Sequence, residues 1–311
     1  MDEKINISIV GAGGIGNPLL LGLSQSALPN LHINIFDDDL IALSNLPRQI
    51  LFTEEDINKQ KAVTLKNKIQ ALGKNIRLHS FAERITSQNI EALLLDSTIV
   101  IDATDSVETK FLINDFCVNN KITFCYAGAV GYEAQFLLCD PKNKTNGCVR
   151  CLFGEFKSED YDCQNTTCQQ AGILGPVVGF VGFAVAQKIL EFLSNPNILL
   201  ESSLFCRFNL ENDHLFFSKI KATDNCPFCF AKDRITSLNI RDKKCPSTFL
   251  YSKMAIEKLQ VGDLLEIRLA EETIAENVSR SLEAEGHKII RSAKLVSDSD
   301  WRIIFEKTHN V

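Results

Sequence analysis

The N-terminal part of the sequence contains two cationic residues and one carboxylate that could take part in chemistry on a polyphosphate. Arg48 and Lys61 could neutralise phosphate charge, and Asp105, predicted at the end of a strand, is a ligand that Mg²⁺ accepts. Binding of a dinucleotide needs neither the cations nor the metal. The alternative for Arg48 and Lys61 is that each is a solvated surface charge, the commoner role of a single Arg or Lys.

A glycine-rich turn, Gly11-Ala-Gly13-Gly14-Ile-Gly16, lies between an apolar run and a helical pattern. Glycines there let the backbone approach a phosphate, and free N–H groups at a helix N-terminus attract an anion. The acidic run 37–39 follows the second apolar run, where a carboxylate can accept ribose hydroxyls. The turn predicts a nucleotide site. A tight turn without a ligand is the alternative, and which nucleotide binds stays open on these residues alone.

Eleven cysteines include two Cys-x-x-Cys pairs, Cys148 with Cys151 and Cys226 with Cys229. Four thiolates at this spacing favour a zinc site over disulfides. Since the protein would fill all four positions, the predicted role of the metal is structural.

The elements that must position these groups alternate between strand and helix. This βαβ rhythm predicts an α/β fold with a Rossmann-like, mainly parallel sheet and helices on both faces. Three later strands, 133–139, 204–209 and 215–219, could pair antiparallel. The earlier strands are predicted at 5–10, 32–36, 76–80, 98–101 and 123–127, and the helices at 14–25, 59–72 and 110–119.

After Cys229 the pattern restarts and predicts a small two-layer α/β module. Its strands are expected at 264–269, 288–296 and 301–306, and its helices at 250–259 and 274–285. The predicted domains are therefore residues 1–232 and 233–311. Between Cys151 and Ala171 a polar, acidic segment without a clean period is predicted to be a long, mobile loop, and loops of that length are often functional.

Composition is that of an ordinary soluble globular protein, with 45% hydrophobic and 23% charged residues over 311 positions. Net charge is −6 and no dense Lys/Arg run occurs, so we expect no extended nucleic-acid surface. No secretory signal is visible, and the apolar stretch 173–186 is too short for a bilayer and contains glycines and a proline. It predicts a buried helix in a cytoplasmic protein without a membrane span.

Residues 5–230 resemble the adenylating domain of the ubiquitin-activating enzyme superfamily, in its bacterial MoeB/ThiF/HesA branch. The matching segments, in the family's order, are GAGGIG, DDDLIALSNLPRQ, QKA, DATDS, CVRC, TTCQQAGILGPVVGFVGF and CPFC. The resemblance implies a homodimer that binds ATP and Mg²⁺. It also implies adenylation of the C-terminal glycine of a small β-grasp carrier protein that ends in Gly-Gly.

The resemblance also implies roles for individual residues. Asp37 would hold the ribose with Asp39 close by, and Asp105 would bind magnesium. Cys168 aligns with a cysteine that in some relatives forms a covalent link to the carrier; a bystander on a flexible loop is the alternative. The nucleotide would be cradled by Gly11, Gly13, Gly14 and Gly16, the phosphates lined by Asn45, Arg48, Gln49 and Lys61, and the structural Zn²⁺ held by Cys148, Cys151, Cys226 and Cys229.

Residues 238–308 resemble a TusA/SirA-type sulfur-carrier domain. Cys245 precedes Pro246 at the predicted start of a helix, where the helix N-terminus favours a thiolate or persulfide anion. The family motif Cys-Pro-x-Pro is Cys-Pro-Ser-Thr here, so a degenerate module kept for binding or dimerisation is the alternative. The resemblance implies sulfur carriage, with a cysteine desulfurase as a candidate persulfide donor.

Together these features predict a carrier-protein adenylyltransferase coupled to sulfur transfer, which gives a thiocarboxylate. Adenylation of a peptide or of a modified tRNA base is a second hypothesis, with tRNA disfavoured by the acidic composition. A third is a non-catalytic nucleotide-binding scaffold, because relatives usually carry a short arginine-bearing helix ahead of the first strand that this sequence does not show. NAD binding ranks last, since the segment SNLPRQ and the paired cysteines have no role in it.

Overall fold

The computed structural model describes residues 4–73, 76–154, 173–195, 203–223, 226, 228–229, 235–243, 247–261, 263–294 and 301–308. The chain separates into two compact units, Met1–Thr223 and Asp224–Val311. The boundary predicted from the sequence, between residues 232 and 233, lies slightly further along the chain. Each unit is α/β, which confirms the predicted fold class.

One mixed sheet of eight strands forms the centre of the first unit. Its strands are β1 (Ile5–Val10), β2 (Leu31–Phe36), β3 (Arg77–Phe81), β4 (Ile99–Asp102), β5 (Thr123–Val130), β6 (Glu133–Cys139), β7 (Ser203–Asn209) and β8 (His214–Ile220). Their order is β3-β2-β1-β4-β5-β6-β7-β8; β1 to β5 run parallel and the later pairs antiparallel. The strand order reverses between β1 and β4, the point where open α/β sheets bind ligands.

Helices cover the parallel strands, which is why those strands are nearly continuous apolar runs. Ile7 and Ile9 on β1 and Ile99 and Ile101 on β4 are fully buried. The helices are α1 (Gly16–Leu23), α2 (Lys61–Ala71), α3 (Ile90–Leu94), α4 (Val107–Asn120), α5 (Val149–Phe153) and α6 (Gly175–Ser194), with short 3₁₀ turns at Leu43–Asn45 and Glu54–Asp56.

Helix α6 continues beyond the apolar stretch that predicts it. By length and composition alone it could cross a membrane, contrary to the expectation that the stretch is too short. Its valine-rich face is nevertheless buried, and α1 packs against it. A Cβ at Gly182 would lie 2.5 Å from Pro18 Cγ, and one at Gly22 would lie 2.7 Å from Ala186 Cβ, so both glycines permit a close helix pair. This packing makes α6 a core helix of the first unit, as predicted.

The second unit is a four-stranded sheet with helices. The strands are β9 (Ile235–Asn239), β10 (Leu264–Leu269), β11 (Lys288–Lys294) and β12 (Trp301–Glu306), in the order β11-β12-β10-β9, and the helices are α7 (Ser247–Glu257) and α8 (Glu272–Ala284). β9 lies parallel to β10, and β12 lies antiparallel to β10 and β11. Ile256 on α7 and Val278 on α8 share a core with Ile267 on β10. This two-layer arrangement matches the prediction, although β9 is an additional strand.

Candidate functional site

A cavity of about 530 Å³ lies at the carboxyl ends of β1, β2 and β4. Its position at the reversal of strand order is the one that the parallel sheet predicts for a ligand. The cavity brings together most of the residues that the sequence singles out. Those in its lining are Gly11, Gly13, Gly14, Asp37, Asp39, Arg48, Gln49, Lys61 and Asp105.

The glycine-rich turn leaves no room for a Cβ at its first and last glycines. Gly11 has φ +100°, and a Cβ there would lie 2.8 Å from the carbonyl oxygen of Ala103. Gly16 does not line the cavity, but a Cβ at this position would lie 2.2 Å from the carbonyl oxygen of Gly11. The fourth glycine therefore closes the turn and lets the first helix start directly beneath it. Bare backbone faces the cavity as a result, which is the geometry a phosphate requires.

Asp37 is fixed by backbone donors at the end of β2. Its carboxylate accepts hydrogen bonds from Ala12 N at 2.7 Å and from Asp39 N at 2.9 Å. Burial raises the pKa of Asp37 above its ordinary value, although Lys61 and these two N–H groups oppose the shift. A rigid carboxylate beside the glycine turn is suited to accept ribose hydroxyls.

Gln49 carries a buried polar atom that fits a ligand. The side chain is 2% exposed, and Oε1 has no hydrogen-bond partner among the described residues. A buried acceptor without a partner is costly, so a donor on a bound molecule would satisfy it. Arg48, beside it, donates from Nη1 to the carbonyl oxygen of Ser44 at 2.9 Å. The two residues therefore offer both hydrogen-bond acceptance and positive charge to the cavity.

Two predicted residues are placed differently from the expectation. Asp105 does not end the strand: β4 ends at Asp102, and Asp105 is an exposed residue in the loop before α4. The strand ends earlier because Asp102 turns back to accept from Thr104 N and Oγ1. Asn45 lies outside the cavity lining and accepts from Ala42 N at 3.1 Å, so its contact with phosphate stays a prediction.

Sequence reasoning missed Lys110, a nearly buried cation in the cavity wall. Its Nζ lies 3.3 Å from Asp102 Oδ2 and 4.2 Å from the centre of the Tyr126 ring. Burial lowers the pKa of Lys110, but Asp102 and Tyr126 more than compensate, and the net pKa is above its ordinary value. The available signal was the charged Asp102 within an apolar strand, because a buried carboxylate needs a cationic partner.

The four predicted metal ligands also meet. The ligand atoms of Cys148, Cys151, Cys226 and Cys229 lie within 4.8 Å of one another. Zn–S bonds of about 2.3 Å place tetrahedral thiolates about 3.8 Å apart, and the Cys148 and Cys151 sulfurs are 4.0 Å apart. The cluster could therefore hold a metal ion.

Backbone pairing explains the position of the first cysteine pair. Gly147 N donates to the carbonyl oxygen of Ile220 at 3.0 Å, and Ala222 N donates to that of Thr145 at 2.8 Å. Arg150, within the pair, is anchored to α4 by two contacts of 2.6 and 2.7 Å with the Asp115 carboxylate. The residues on both sides of Cys148 are thus held before any metal binds.

The remaining thiols divide into two groups. Cys163, Cys168 and Cys245 lie outside the described residues, so the roles of Cys168 and Cys245 stay predictions. The other cysteines are predicted to be small buried hydrophobes, and they are buried: Cys117, Cys125, Cys139 and Cys206. Burial raises the pKa of the Cys206 thiol to about 11, which disfavours the reactive thiolate.

Known proteins resemble each unit separately. Residues 3–228 match the ThiF family model, and residues 236–307 match that of Sulfurtransferase TusA. Sulfur carrier protein ThiS adenylyltransferase of Escherichia coli is 30% identical over 223 residues, 72% of this chain and 85% of that protein. Adenylyltransferase and sulfurtransferase MOCS3 of Dictyostelium discoideum is 34% identical over 191 residues, 61% of this chain and 43% of that protein. This chain therefore matches less than half the length of MOCS3.

A solved structure of another protein has a similar fold. A crystal structure of Escherichia coli MccB with ATP aligns with a TM-score of 0.62 at 23% identity and covers 72% of this chain and 67% of that one. Because the family match takes in most of the sequence, this chain belongs to the ThiF family and carries a TusA-like module after its ThiF domain.

Proposed function

We propose that this chain adenylates the C-terminal glycine of a small β-grasp sulfur carrier and then transfers sulfur to it. The observation that carries the proposal is that one cavity is lined together by the glycine turn, Asp37, Arg48, Lys61 and Asp105. The names of the ThiS adenylyltransferase and MOCS3 relatives support carrier activation, and the TusA match supports the sulfur-transfer half.

In the first step, a carboxylate oxygen of the tail forms a bond to the α-phosphorus of ATP. The bond from that phosphorus to the bridging oxygen breaks, and pyrophosphate leaves with the electron pair. Arg48 and Lys61 offset the negative charge on the phosphates, while Asp37 fixes the ribose. Asp105, as an exposed carboxylate on the β4–α4 loop, is the residue that would hold Mg²⁺, which supplies further charge neutralisation.

In the second step, the terminal sulfur of a Cys245 persulfide attacks the activated carbonyl and AMP leaves. Cleavage of the sulfur–sulfur bond, with a dithiol reductant as electron donor, releases the thiocarboxylate. Cys168 is our candidate for a covalent link to the carrier, and a cysteine desulfurase is the candidate persulfide source. Zn²⁺ is the metal proposed for the four-cysteine cluster, since an all-thiolate set favours it. The homodimer and the cytoplasmic location stay predictions.

The test is exchange of radiolabelled pyrophosphate into ATP. We expect exchange only with a carrier that ends in Gly-Gly, such as ThiS or a β-grasp protein encoded near this gene, and none when the two glycines are removed. Exchange with a short peptide alone would favour the peptide hypothesis. Tight ATP binding without exchange across the carriers would favour a non-catalytic scaffold, and purified protein that carries NAD and ignores ATP would overturn adenylation.

A further inference from the structure

An ion pair between Arg207 and Glu133 stands at one end of the nucleotide cavity, and the nucleotide-binding roles above do not use it. Arg207 Nη2 donates to Glu133 Oε2 at 2.6 Å, and Asn209 Nδ2 donates to Oε1 of the same carboxylate at 3.2 Å. The hydrogen bond from Arg207 lowers the pKa of Glu133, which favours the charged carboxylate at neutral pH. Arg207 lies on β7 and Glu133 on β6, three and two strands away from β4.

A second cavity is also lined by this ion pair. It has a volume of about 370 Å³, lies beside β7 and β8, and shares both Arg207 and Glu133 with the nucleotide cavity. The rest of its lining is aromatic and uncharged polar, apart from a histidine: Phe205, Phe208, Phe216, Asn209, Asn212 and His214. A chain segment that entered along β7 and β8 would therefore pass the pair before it reached the nucleotide.

Beyond the pair, Tyr126 packs directly over Gly128 in the cavity wall. Tyr126 and Gly128 both line the nucleotide cavity, and a Cβ at position 128 would lie 2.8 Å from the Tyr126 hydroxyl. Gln135, on the neighbouring strand, donates from Nε2 to the same hydroxyl at 2.8 Å and holds the ring in place.

The charges inside the cavity explain why a cation is needed at its mouth. An arriving carboxylate meets Asp39, Asp105 and the triphosphate, all of which repel it. Among the other cations that line the cavity, Lys61 pairs with Asp39 and Lys110 with Asp102, and Arg48 is the cation proposed to serve the phosphates. Arg207 is about half exposed and, among the described residues, donates through Nη2 to Glu133. Its guanidinium carries further N–H donors in a planar fork that matches a carboxylate.

We propose that Arg207 binds the C-terminal carboxylate of the carrier tail on its way to the nucleotide, with Glu133 as the counter-ion in the resting protein. This inference rests on the proposed function, because it assumes that the substrate is a protein tail ending in glycine. Arg207 acts on binding and orientation, and it takes no part in the bond changes at phosphorus.

The experiment compares two forms of one carrier. The carrier that gives the largest exchange is made with its terminal glycine as the free acid or as the carboxamide, and its affinity is measured by calorimetry with a non-hydrolysable ATP analogue present. Wild-type protein is expected to prefer the acid at least about tenfold, the worth of a charge-assisted hydrogen bond. Arg207→Met is expected to bind both forms with equal, weak affinity. Lys188→Met, which removes a partly exposed cation on α6, should keep the wild-type preference.

Glu133→Gln provides an independent second test. This variant lacks the carboxylate that competes for Arg207. The acid form of the carrier should therefore bind the variant more tightly than it binds wild type, and the affinity of the amide form should be unchanged. Affinity for the ATP analogue shows that each variant is folded. An acid preference that is the same in Arg207→Met as in wild type overturns the inference and leaves the proposed function standing. Failure of wild-type protein to bind either form of any carrier overturns both.

Discussion

Lys61 Nζ lies 2.6 Å from Asp39 Oδ2, so two residues predicted to serve the nucleotide hold each other in the structure. The lysine side chain is 9% exposed and that of the aspartate is 62% exposed. The ammonium group is therefore fixed inside the cavity by a partner that faces solvent. A polyphosphate would meet a lysine that is already held in position.

Replacement Lys61→Met should lower carrier-dependent pyrophosphate exchange about 100-fold or more. The fixed positive charge is lost where negative charge develops, and one such group is typically worth that factor. The exchange rate at saturating ATP measures the effect, and Glu191→Gln on the exposed face of α6 serves as the control. A rate within twofold of wild type would show that Lys61 is a structural partner of Asp39 only.

Replacement Asp105→Ala should abolish exchange through loss of the proposed magnesium ligand. Because the residue is exposed and lies in a loop, the stability of the fold should be unchanged. Exchange is measured over a range of Mg²⁺ concentrations, and the melting temperature checks folding. If the variant keeps the wild-type rate and magnesium dependence, the assignment of Asp105 is wrong.

Replacement Cys148→Ser should remove bound zinc and destabilise the protein. Zinc content by mass spectrometry is expected to fall from about one ion per chain to well below that, because a serine hydroxyl is a poor replacement for a thiolate. Cys206→Ala, a buried cysteine outside the cluster, should retain the metal. Equal zinc in both variants would exclude the four-cysteine site.

Replacement Cys245→Ser should separate the two proposed half-reactions. Exchange depends on the cavity of the first unit and should stay at the wild-type rate. Formation of a thiocarboxylate on the carrier, followed by intact mass, should stop because the sulfur-bearing atom is gone. Thiocarboxylate that forms at the normal rate in this variant would assign the TusA-like module a binding role instead.

Replacement Asp56→Asn should destabilise the segment that leads into α2. The Asp56 side chain is buried and accepts from Lys68 Nζ at 2.6 Å, Lys59 Nζ at 3.1 Å and Thr53 N at 3.0 Å. Burial raises the pKa of Asp56, but these donors outweigh it and leave the pKa well below its ordinary value. A loss of about 1–3 kcal/mol at neutral pH is expected in urea unfolding.

The pH dependence of that loss follows from the direction of the shift. A carboxyl whose folded-state pKa is depressed stabilises the protein above its unfolded value of about 3.9 and loses this effect as pH falls. The difference between wild type and Asp56→Asn should therefore be full at pH 6–7 and shrink below about pH 4. A difference that does not change with pH would mean that ionised Asp56 is not the stabilising species.

Local signals in the sequence were sufficient for the glycine turn, the parallel strands and the paired cysteines. Strand β1 and the turn at Gly11 depend on burial and on residues that are adjacent in the sequence. Hydrophobic periodicity and composition indicate both, so these elements could be predicted. Contacts between distant segments were not predictable in this way. Arg207 meets Glu133, 74 residues earlier in the chain, only because β6 and β7 are neighbours in the sheet.

The close contact of α1 and α6 means that defects at the nucleotide turn can begin far from it in sequence. A Cβ at Gly14 would lie 3.3 Å from the methyl groups of Val178 on α6. A Cβ at Gly182 would have no room beside Pro18. A larger residue at position 182 would push the first helix away and tilt the turn with it. Such a variant would show a reduced affinity for ATP, although its altered side chain does not contact the nucleotide.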